Sequence, residues 1–228
     1  WQQWQQDLAA LDEAADLDQL QSRCLKLEEA YRKEALSLRQ ARRKAAPKLS
    51  ATVTAAMQGL GMAGGVFEVQ VAELAQPQSQ GMDEVTFLVA GHPGASPKPL
   101  GKVASGGELS RISLSIQTAT SEIAQVPTLI FDEVDAGIGG RVAEIVGQML
   151  KKLGKRHQVM CVTHLPQVAA SADYQWQVSK GAAKGAVTSR VTVLAADERV
   201  EEIARMLGGV KITDTTRRHA AEMLGMKS

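Results

Sequence analysis

Long apolar runs are missing from this sequence of 228 residues. No stretch of about 18 consecutive apolar residues occurs, so we expect no membrane-spanning helix and no membrane partner. Residues 1–6 are polar and show neither an initiating methionine nor the layout of a signal peptide, so we expect the chain to be cut from a longer protein. Only two cysteines occur, Cys24 and Cys161, and they lie in unrelated segments. Two free thiols in a chain of this length favour a reducing, cytoplasmic setting.

The chain also lacks a large excess of either positive or negative charge. The 26 basic side chains nearly cancel the 25 acidic ones, which leaves a formal net charge of +1. This balance excludes neither nucleic acid nor protein partners, because the placement of charge decides binding. Hydrophobic residues make up 44% of the chain, enough for one sizeable core and an extension.

Proline and glycine are absent from about Asp7 to Ala46, a segment rich in alanine, leucine and glutamine. Apolar residues alternate there at spacings of three and four, which predicts about four heptads of coiled coil. The predicted seam consists of Leu17, Leu20, Cys24, Leu27, Tyr31, Leu38, Ala41 and Ala45. Such a helix needs a partner helix. We expect the arm helix to end at Pro47 and the glycines from Gly59 onward. We therefore divide the chain into a coiled-coil arm at 1–48 and a lobe at 49–228.

Basic side chains crowd the end of this arm. They are Arg39, Arg42, Arg43, Lys44 and Lys48. One interpretation is that they complement the carboxyl terminus of the helix and stay solvated, as most charge runs do. The other is a patch that contacts phosphate groups where the arm meets the lobe.

The lobe has an α/β pattern. In order, it predicts strands at 66–71 and 85–89, an exposed loop at 91–101, a helix at 109–123, a strand at 128–131, a helix at 141–153, a strand at 159–163, a hairpin at 174–180 and 187–194, and helices at 199–207 and 216–224. The strand–helix–strand unit in the middle predicts a right-handed crossover and a parallel pair.

Two acids, Asp132 and Glu133, follow the apolar strand at 128–131. Ligands of open α/β sheets lie at the carboxyl ends of the strands. One carboxylate there can hold Mg²⁺, directly or through water, and an adjacent one can deprotonate an attacking water. The alternative is that both acids merely carry the end of a buried strand into solvent.

The string Ser105-Gly106-Gly107-Glu108 has the spacing of a helix capping box. Two glycines inside the box are unexpected, because each costs about 1 kcal/mol relative to alanine in a helix interior. They allow bare backbone N–H groups to approach a bulky anion, which a helix amino terminus attracts. The string therefore favours phosphate contact over capping alone.

His164 stands at the end of the strand predicted at 159–163, and as its last residue it should face the same crevice as the two acids. A neutral imidazole there can donate to a phosphate oxygen or to the attacking water, whereas the alternative is a purely structural histidine. The glycine-rich segment from Asp135 to Gly140 predicts a shaped loop at the same edge. No G-x-x-x-x-G-K-[ST] motif occurs, so the sequence predicts a nucleotide site without its phosphate-binding loop.

Three strings resemble the ABC-type ATPases, in the glutamate-bearing form of the SMC-like chromosome-maintenance proteins. They are Lys98–Arg111, Phe131–Gly140 and Cys161–Ala170. The first resembles the signature motif from Val103 onward. The segment Leu129–Glu133 resembles the Walker B strand, Asp135 begins a D-loop, and His164 resembles the switch histidine. The three strings resemble bacterial double-strand-break repair members of this class more closely still.

The resemblance implies a carboxyl-terminal lobe of an ATPase head that is preceded by a coiled-coil helix. It implies that Asp132 supports Mg²⁺ and that Glu133 is the catalytic base. His164 would be a second catalytic group that senses the γ-phosphate of ATP. Ser105, Gly106, Gly107 and Glu108 would contact ATP held by a second head, so that two copies close over two nucleotides.

The implied partners are the amino-terminal half of the same protein, a second head in a homodimer, and DNA. The implied setting is the nucleoid, in DNA repair and recombination. Two rivals remain open: an ABC transporter ATPase, and an ATP-gated dimerisation clamp that barely hydrolyses its nucleotide. A transporter ATPase would carry no long heptad arm, and its signature more often ends in glutamine than in glutamate.

Overall fold

The structure is a computed structural model that describes the backbone of residues 1–14, 17–102, 105–123, 126–183, 186–208 and 212–226. Side chains are described over 1–9, 18–102, 105–123, 126–181, 188–208 and 212–226. Two compact units divide the chain: Trp1–Lys48 with Val69–Thr86, and Leu49–Glu68 with Phe87–Ser228.

Helices of the described residues cover Gln2–Ala14 (α1), Leu17–Gly59 (α2), Gly106–Thr120 (α3), Gly140–Leu153 (α4), Pro166–Ser171 (α5), Ala196–Gly208 (α6) and Asp214–Met223 (α7). Strands cover Val66–Gln78 (β1), Gly81–Ala90 (β2), Lys98–Pro99 (β3), Thr128–Phe131 (β4), Gln158–Cys161 (β5), Trp176–Ala183 (β6) and Ala186–Val193 (β7). Strands β1, β2 and β3 form one sheet in that order. In the part of the chain that is described, no helix is long and apolar enough to cross a membrane.

Helix α2 is longer than predicted, because Pro47 lies inside it and does not end it. Proline removes one backbone hydrogen bond and usually breaks a helix. The residues after it nevertheless stay helical, since Val53 and Met57 are fully buried and their packing favours the continued helix. The helix ends at Gly59, and Gly61 follows with a left-handed φ of 77°.

The predicted seam of α2 is largely exposed. Leu20, Leu27 and Leu38 all face solvent, whereas the side chain of Leu17 lies outside the described residues. The 43 residues of α2 extend over about 65 Å at about 1.5 Å per residue. No other helix of the described chain exceeds 15 residues. Pairing of this seam with another helix therefore stays a prediction.

Two members of the basic run hold the tip of the β1–β2 hairpin against α2. The Nε of Arg39 lies 2.6 Å from Oδ1 of Asp83, whose side chain is fully buried, and Nη1 lies 3.1 Å from Oε2 of Glu73. Arg42 donates from Nη2 to the carbonyl of Gln80 at 2.9 Å. Because α2 continues to Gly59, its last turn contains no basic residue. The interpretation that this run complements a helix carboxyl terminus is therefore wrong.

The predicted strand–helix–strand unit is present. Strand β4 pairs in parallel with β5, from Thr128 opposite Gln158 to Phe131 opposite Cys161, and α4 connects them. Helices α3 and α4 and strand β4 contribute buried apolar side chains, among them Ile112, Leu114, Leu129, Phe131, Val146 and Leu150. The loop predicted at 91–101 is partly regular, since β3 pairs antiparallel with β2 there and a 3₁₀ turn covers Leu100–Lys102.

Helices α5, α6 and α7 form a second cluster around Ile203, Ala204 and Ala220. Glu202 of α6 is also buried, and it binds the guanidinium of Arg205 through both oxygens, at 2.7 and 2.8 Å. The Nε2 of Gln177 donates to it at 2.6 Å. The Arg205 guanidinium holds the pKa of Glu202 below its ordinary value of 4.5, against the opposing effect of burial.

This pair predicts a pH-dependent part of the stability. The folded-state pKa of Glu202 is depressed, so its contribution is fully present above pH 4.5 and is lost as the pH falls through the folded value. We expect Glu202→Gln to lower the free energy of unfolding at pH 7, with a smaller deficit near about pH 3. Urea unfolding at both values measures this, with Glu122→Gln, an exposed acid, as the control. A deficit that stays constant with pH would contradict the assignment.

Candidate nucleotide site

Asp132 and Glu133 leave the carboxyl end of β4, and both side chains are exposed. The Oδ1 of Asp132 accepts a hydrogen bond from the backbone N–H of Glu133 at 2.9 Å. Glu133 has a φ of 56°, which is uncommon for a residue other than glycine. Backbone conformations of this kind cluster at functional sites. The chain therefore turns sharply at Glu133, and the Asp132 carboxylate supports that turn.

His164 lies beside these acids, although not as the last residue of a strand. Strand β5 ends at Cys161, so His164 belongs to the loop that follows it. Its side chain is 70% exposed, and Nδ1 lies 3.4 Å from Oδ2 of Asp135. The imidazole thus lies close to Asp135 on one side and lines the cleft.

Asp135 connects the two loops at this edge of the sheet. Only 1% of its surface is exposed, and its Oδ2 accepts from the backbone N–H groups of His164, at 3.0 Å, and Leu165, at 3.3 Å. The hydroxyl of Thr163 donates to the same oxygen. A buried carboxylate with several N–H and O–H donors is well satisfied, so Asp135 fixes the loop after β5 against the loop after β4. The sequence did not single out Thr163. Its only signal was a polar side chain at the end of an apolar segment, directly before His164.

These residues line an open cleft of about 300 Å³. Its walls are Asp132, Glu133, Asp135, Ala136, Val162, Thr163 and His164. The structure therefore brings together the residues that were singled out at the ends of both strands. Among the described residues, no group of three or more histidines, cysteines or acids is arranged to hold a metal on its own.

Ser105 is the N-cap of α3, as the capping-box spacing predicts, and its Oγ accepts from the backbone N–H of Glu108 at 3.4 Å. That bond is long, so the cap is weak. Val103 and Ala104, at the start of the signature-like string, lie outside the described residues.

The two glycines of the capping box lie against the loop after β4. A Cβ at Gly106 would come within 2.7 Å of Oε2 of Glu133. A Cβ at Gly107 would come within 3.0 Å of both Cβ and O of Ala136. Close approach of this chain's own loop is therefore one reason for glycine at both positions, beside the predicted approach of phosphate.

Ser110 and Arg111 continue this contact one helical turn later. The Oγ of Ser110 donates to the carbonyl of Asp132 at 2.7 Å, and Nη1 of Arg111 donates to the carbonyl of Ala136 at 2.8 Å. Residues four apart lie on one helix face, so these side chains stand directly behind Gly106 and Gly107. The i, i+4 spacing is the signal by which the sequence could have revealed them.

Cys161 borders the same edge from β5. Burial, and to a lesser extent the charges of Asp135 and Asp132, raise the pKa of its thiol to about 12. The thiol therefore stays protonated at neutral pH and adds no charge to the cleft.

Comparison with known proteins identifies the family. "DNA repair protein RecN" of Xylella fastidiosa is 47% identical over 210 residues, which are 91% of this chain and 38% of that protein. The RecN of Haemophilus influenzae is 44% identical over 193 residues, 84% of this chain and 35% of its own length. The RecN of Bacillus subtilis is 48% identical over 149 residues, 65% of this chain and 26% of its own. The chain belongs to the RecN family.

This chain spans well under half the length of those RecN relatives. A solved structure shows the fold: the Smc head domain with a coiled coil and joint from Pyrococcus yayanosii superposes with a TM-score of 0.59. The match has 19% sequence identity and covers 87% of this chain and 36% of the other. No family model matches the sequence. The predicted fold class, an α/β head lobe with a preceding coiled-coil-type helix, is confirmed for this RecN family member.

Proposed function

We propose that this chain is the carboxyl-terminal lobe of an ATP-hydrolysing head in a DNA double-strand-break repair and recombination protein. The supporting observation is the cleft at the carboxyl ends of β4 and β5, where Asp132, Glu133 and His164 meet around the buried Asp135. The names of the RecN relatives support the repair role. The proposed setting is the cytoplasm, on the nucleoid.

Asp132 is the proposed Mg²⁺ carboxylate. When bound, Mg²⁺ would neutralise charge that develops on the phosphates of ATP. Mg²⁺ usually takes one or two carboxylates together with water and substrate phosphates. Asp132 fits this pattern, since it is an exposed carboxylate at a strand end and belongs to no three-residue metal cluster of the described residues. The hydrogen bond from Glu133 N–H to Oδ1 orients the Asp132 carboxylate in the cleft.

Glu133 is the proposed general base, since its exposed carboxylate lies next to Asp132 and can accept a proton from the attacking water. His164 is the proposed γ-phosphate sensor. Because Nδ1 faces Asp135, Nε2 is the nitrogen that remains for a phosphate oxygen or the water. The tether of Asp135 to the His164 backbone holds the sensor near the base.

Ser105, Gly106, Gly107 and Glu108 form the proposed contact with ATP in trans. The first turn of α3 presents its N–H groups at an exposed edge, and Ser105 and Gly106 are both solvent-exposed. A second copy of the head would supply that nucleotide, so each hydrolysis site would be built by two subunits.

The amino-terminal half of the longer protein is the proposed partner for the β4–β5 sheet. Among the described residues β4 and β5 pair only with each other, and Ile130 and Val162 are 70% and 62% exposed on one face. Parallel strands are normally covered on both faces. The missing half would cover this face and bring the phosphate-binding loop that this chain lacks. DNA is the proposed macromolecular substrate, and the long helix α2 argues against the transporter rival.

The first test compares the full-length protein with this chain alone. We expect the full-length protein to release phosphate from Mg·ATP. This chain should neither bind ATP tightly nor hydrolyse it, because its proposed site residues would contact the metal, the water or a partner's nucleotide and not the phosphates of a nucleotide of its own. Isothermal calorimetry and phosphate release measure both. Micromolar ATP binding or steady turnover by this chain would refute the divided site, and a full-length protein that binds ATP without turnover would favour the clamp.

A further inference from the structure

Arg111 is the most unusual charged residue of the lobe. Only 7% of its surface is exposed, yet no carboxylate of the described residues lies within ion-pair distance of it. Its Nη1 donates to the carbonyl of Ala136, and its Nε is buried without a hydrogen-bond partner. Burial lowers the pKa of this guanidinium, partly offset by the charge of Glu108. A buried, unpaired cation costs stability, so packing alone does not account for it.

The guanidinium lies where α3 meets the loop after β4. A Cβ at Gly107 would come within 3.2 Å of Nη1 and within 3.0 Å of Ala136, so helix backbone, arginine and loop are in close contact. The neighbouring Ser110 holds the carbonyl of Asp132 at 2.7 Å. The loop of residues 132–136 is thus attached to α3 at both of its ends. Ser110 makes the attachment at Asp132, and Arg111 makes it at Ala136.

We propose that Arg111 is a positioning residue that fixes the loop of residues 132–136 to the first turns of α3. This inference rests on the proposed function. The first turn of α3 would read the nucleotide of the second head, whereas Glu133 would act on the nucleotide of its own head. With Arg111 in place, a shift of α3 moves Ala136 and Asp135 with it, and therefore the base and the sensor. Arg111 would couple the two nucleotide sites without touching either nucleotide.

The experiment uses the full-length protein with Arg111→Met and Arg111→Lys. Methionine fills similar space but cannot donate to Ala136, whereas lysine keeps one charged donor. We expect kcat for ATP hydrolysis to fall about 10- to 100-fold in Arg111→Met and less in Arg111→Lys, because a small misplacement of catalytic groups has effects of this size. KM for ATP should change less than about threefold, since each head would grip its nucleotide through its other half. Tm should be unchanged or raised in Arg111→Met, because the buried charge is removed.

Arg205→Met is the matched control. It removes an arginine from α6 that pairs with the buried Glu202, far along the chain from the loop. Its Tm should fall and its kcat should not. The proposal is overturned if Arg111→Met keeps the parent kcat, or if kcat and Tm fall together and lysine restores no more activity than methionine. If the parent protein itself hydrolyses no ATP, the proposed function fails and this inference fails with it, a result distinct from undiminished hydrolysis in Arg111→Met.

Discussion

Glu133→Gln in the full-length protein is expected to lower kcat for ATP hydrolysis by about 10²–10⁴-fold, the usual cost of removing a general base. Glutamine keeps the shape of the side chain and loses its basicity. The turn at Glu133 should survive, because the hydrogen bond to Asp132 uses the backbone N–H and not the carboxylate. ATP should therefore still bind, and two heads should still close over it.

Slowed cleavage has a second consequence for this variant. The ATP-bound dimer should accumulate, so light scattering of short-armed heads with Mg·ATP should show more dimer for Glu133→Gln than for the parent. Glu144→Gln is the matched control, since this exposed acid of α4 accepts a hydrogen bond from Gln148 on its own helix and lies away from the cleft lining. A Glu133→Gln protein with kcat within about threefold of the parent would show that Glu133 only terminates a strand.

The edge that carries these acids was predictable from the sequence. Short apolar runs at 128–131 and 159–163, separated by an amphipathic segment, are enough to specify a parallel pair, and parallel pairing aligns the carboxyl ends of the strands. The end of β5 was less predictable. Phe131 is the last residue of β4 and pairs with Cys161, so β4 offers no residue for Thr163 to pair with. The segment 159–163 nevertheless has the composition of a strand. Strand ends depend on the neighbouring strand, which lies about 30 residues away.

Contacts distant in sequence account for the other differences. Pro47 is a helix breaker by local propensity, but the burial of Val53 and Met57 outweighs one lost hydrogen bond. Arg39 has the pattern of a solvated helix face, yet it pairs with an acid 44 residues later in the chain. The sequence pattern around Arg39 does not indicate that Asp83 is its partner, and the pattern around Asp83 does not indicate Arg39.

In the candidate site, too, the local features were predictable from the sequence and the contacts between distant residues were not. Composition and glycine content predicted a loop at 135–140, which in the structure ends at Gly139 because α4 begins at Gly140. They gave no sign that Asp135 would be buried with three donors on one oxygen. The glycines at 106 and 107 suggested close approach by a ligand, and the structure adds close approach by Glu133 and Ala136. A sequence shows that space is needed at a glycine, whereas only the fold shows which group fills it.

Ser105→Arg is expected to separate the proposed trans contact from the chemistry. Ser105 is exposed at the start of α3, and its capping bond is long, so its removal should affect stability only modestly, by about 1 kcal/mol or less. An arginine there would fill the space in front of the helix terminus and place a cation at the positive end of the helix dipole. Each head should still bind ATP through its other half, but two heads should fail to close.

Light scattering of short-armed heads with Mg·ATP should therefore show monomers for Ser105→Arg and dimers for Glu133→Gln, although both lose most hydrolysis. Short arms are required because contacts along α2 could hold long molecules together whatever happens at the heads. Ser105→Ala is the matched comparison, since it removes the same hydroxyl without adding bulk or charge. It should weaken ATP-dependent dimerisation less than Ser105→Arg does, because the helix terminus stays open. Dimerisation of Ser105→Arg at the parent's ATP concentration would mean that Ser105 only caps its helix, because a blocked terminus could not then be part of a composite site.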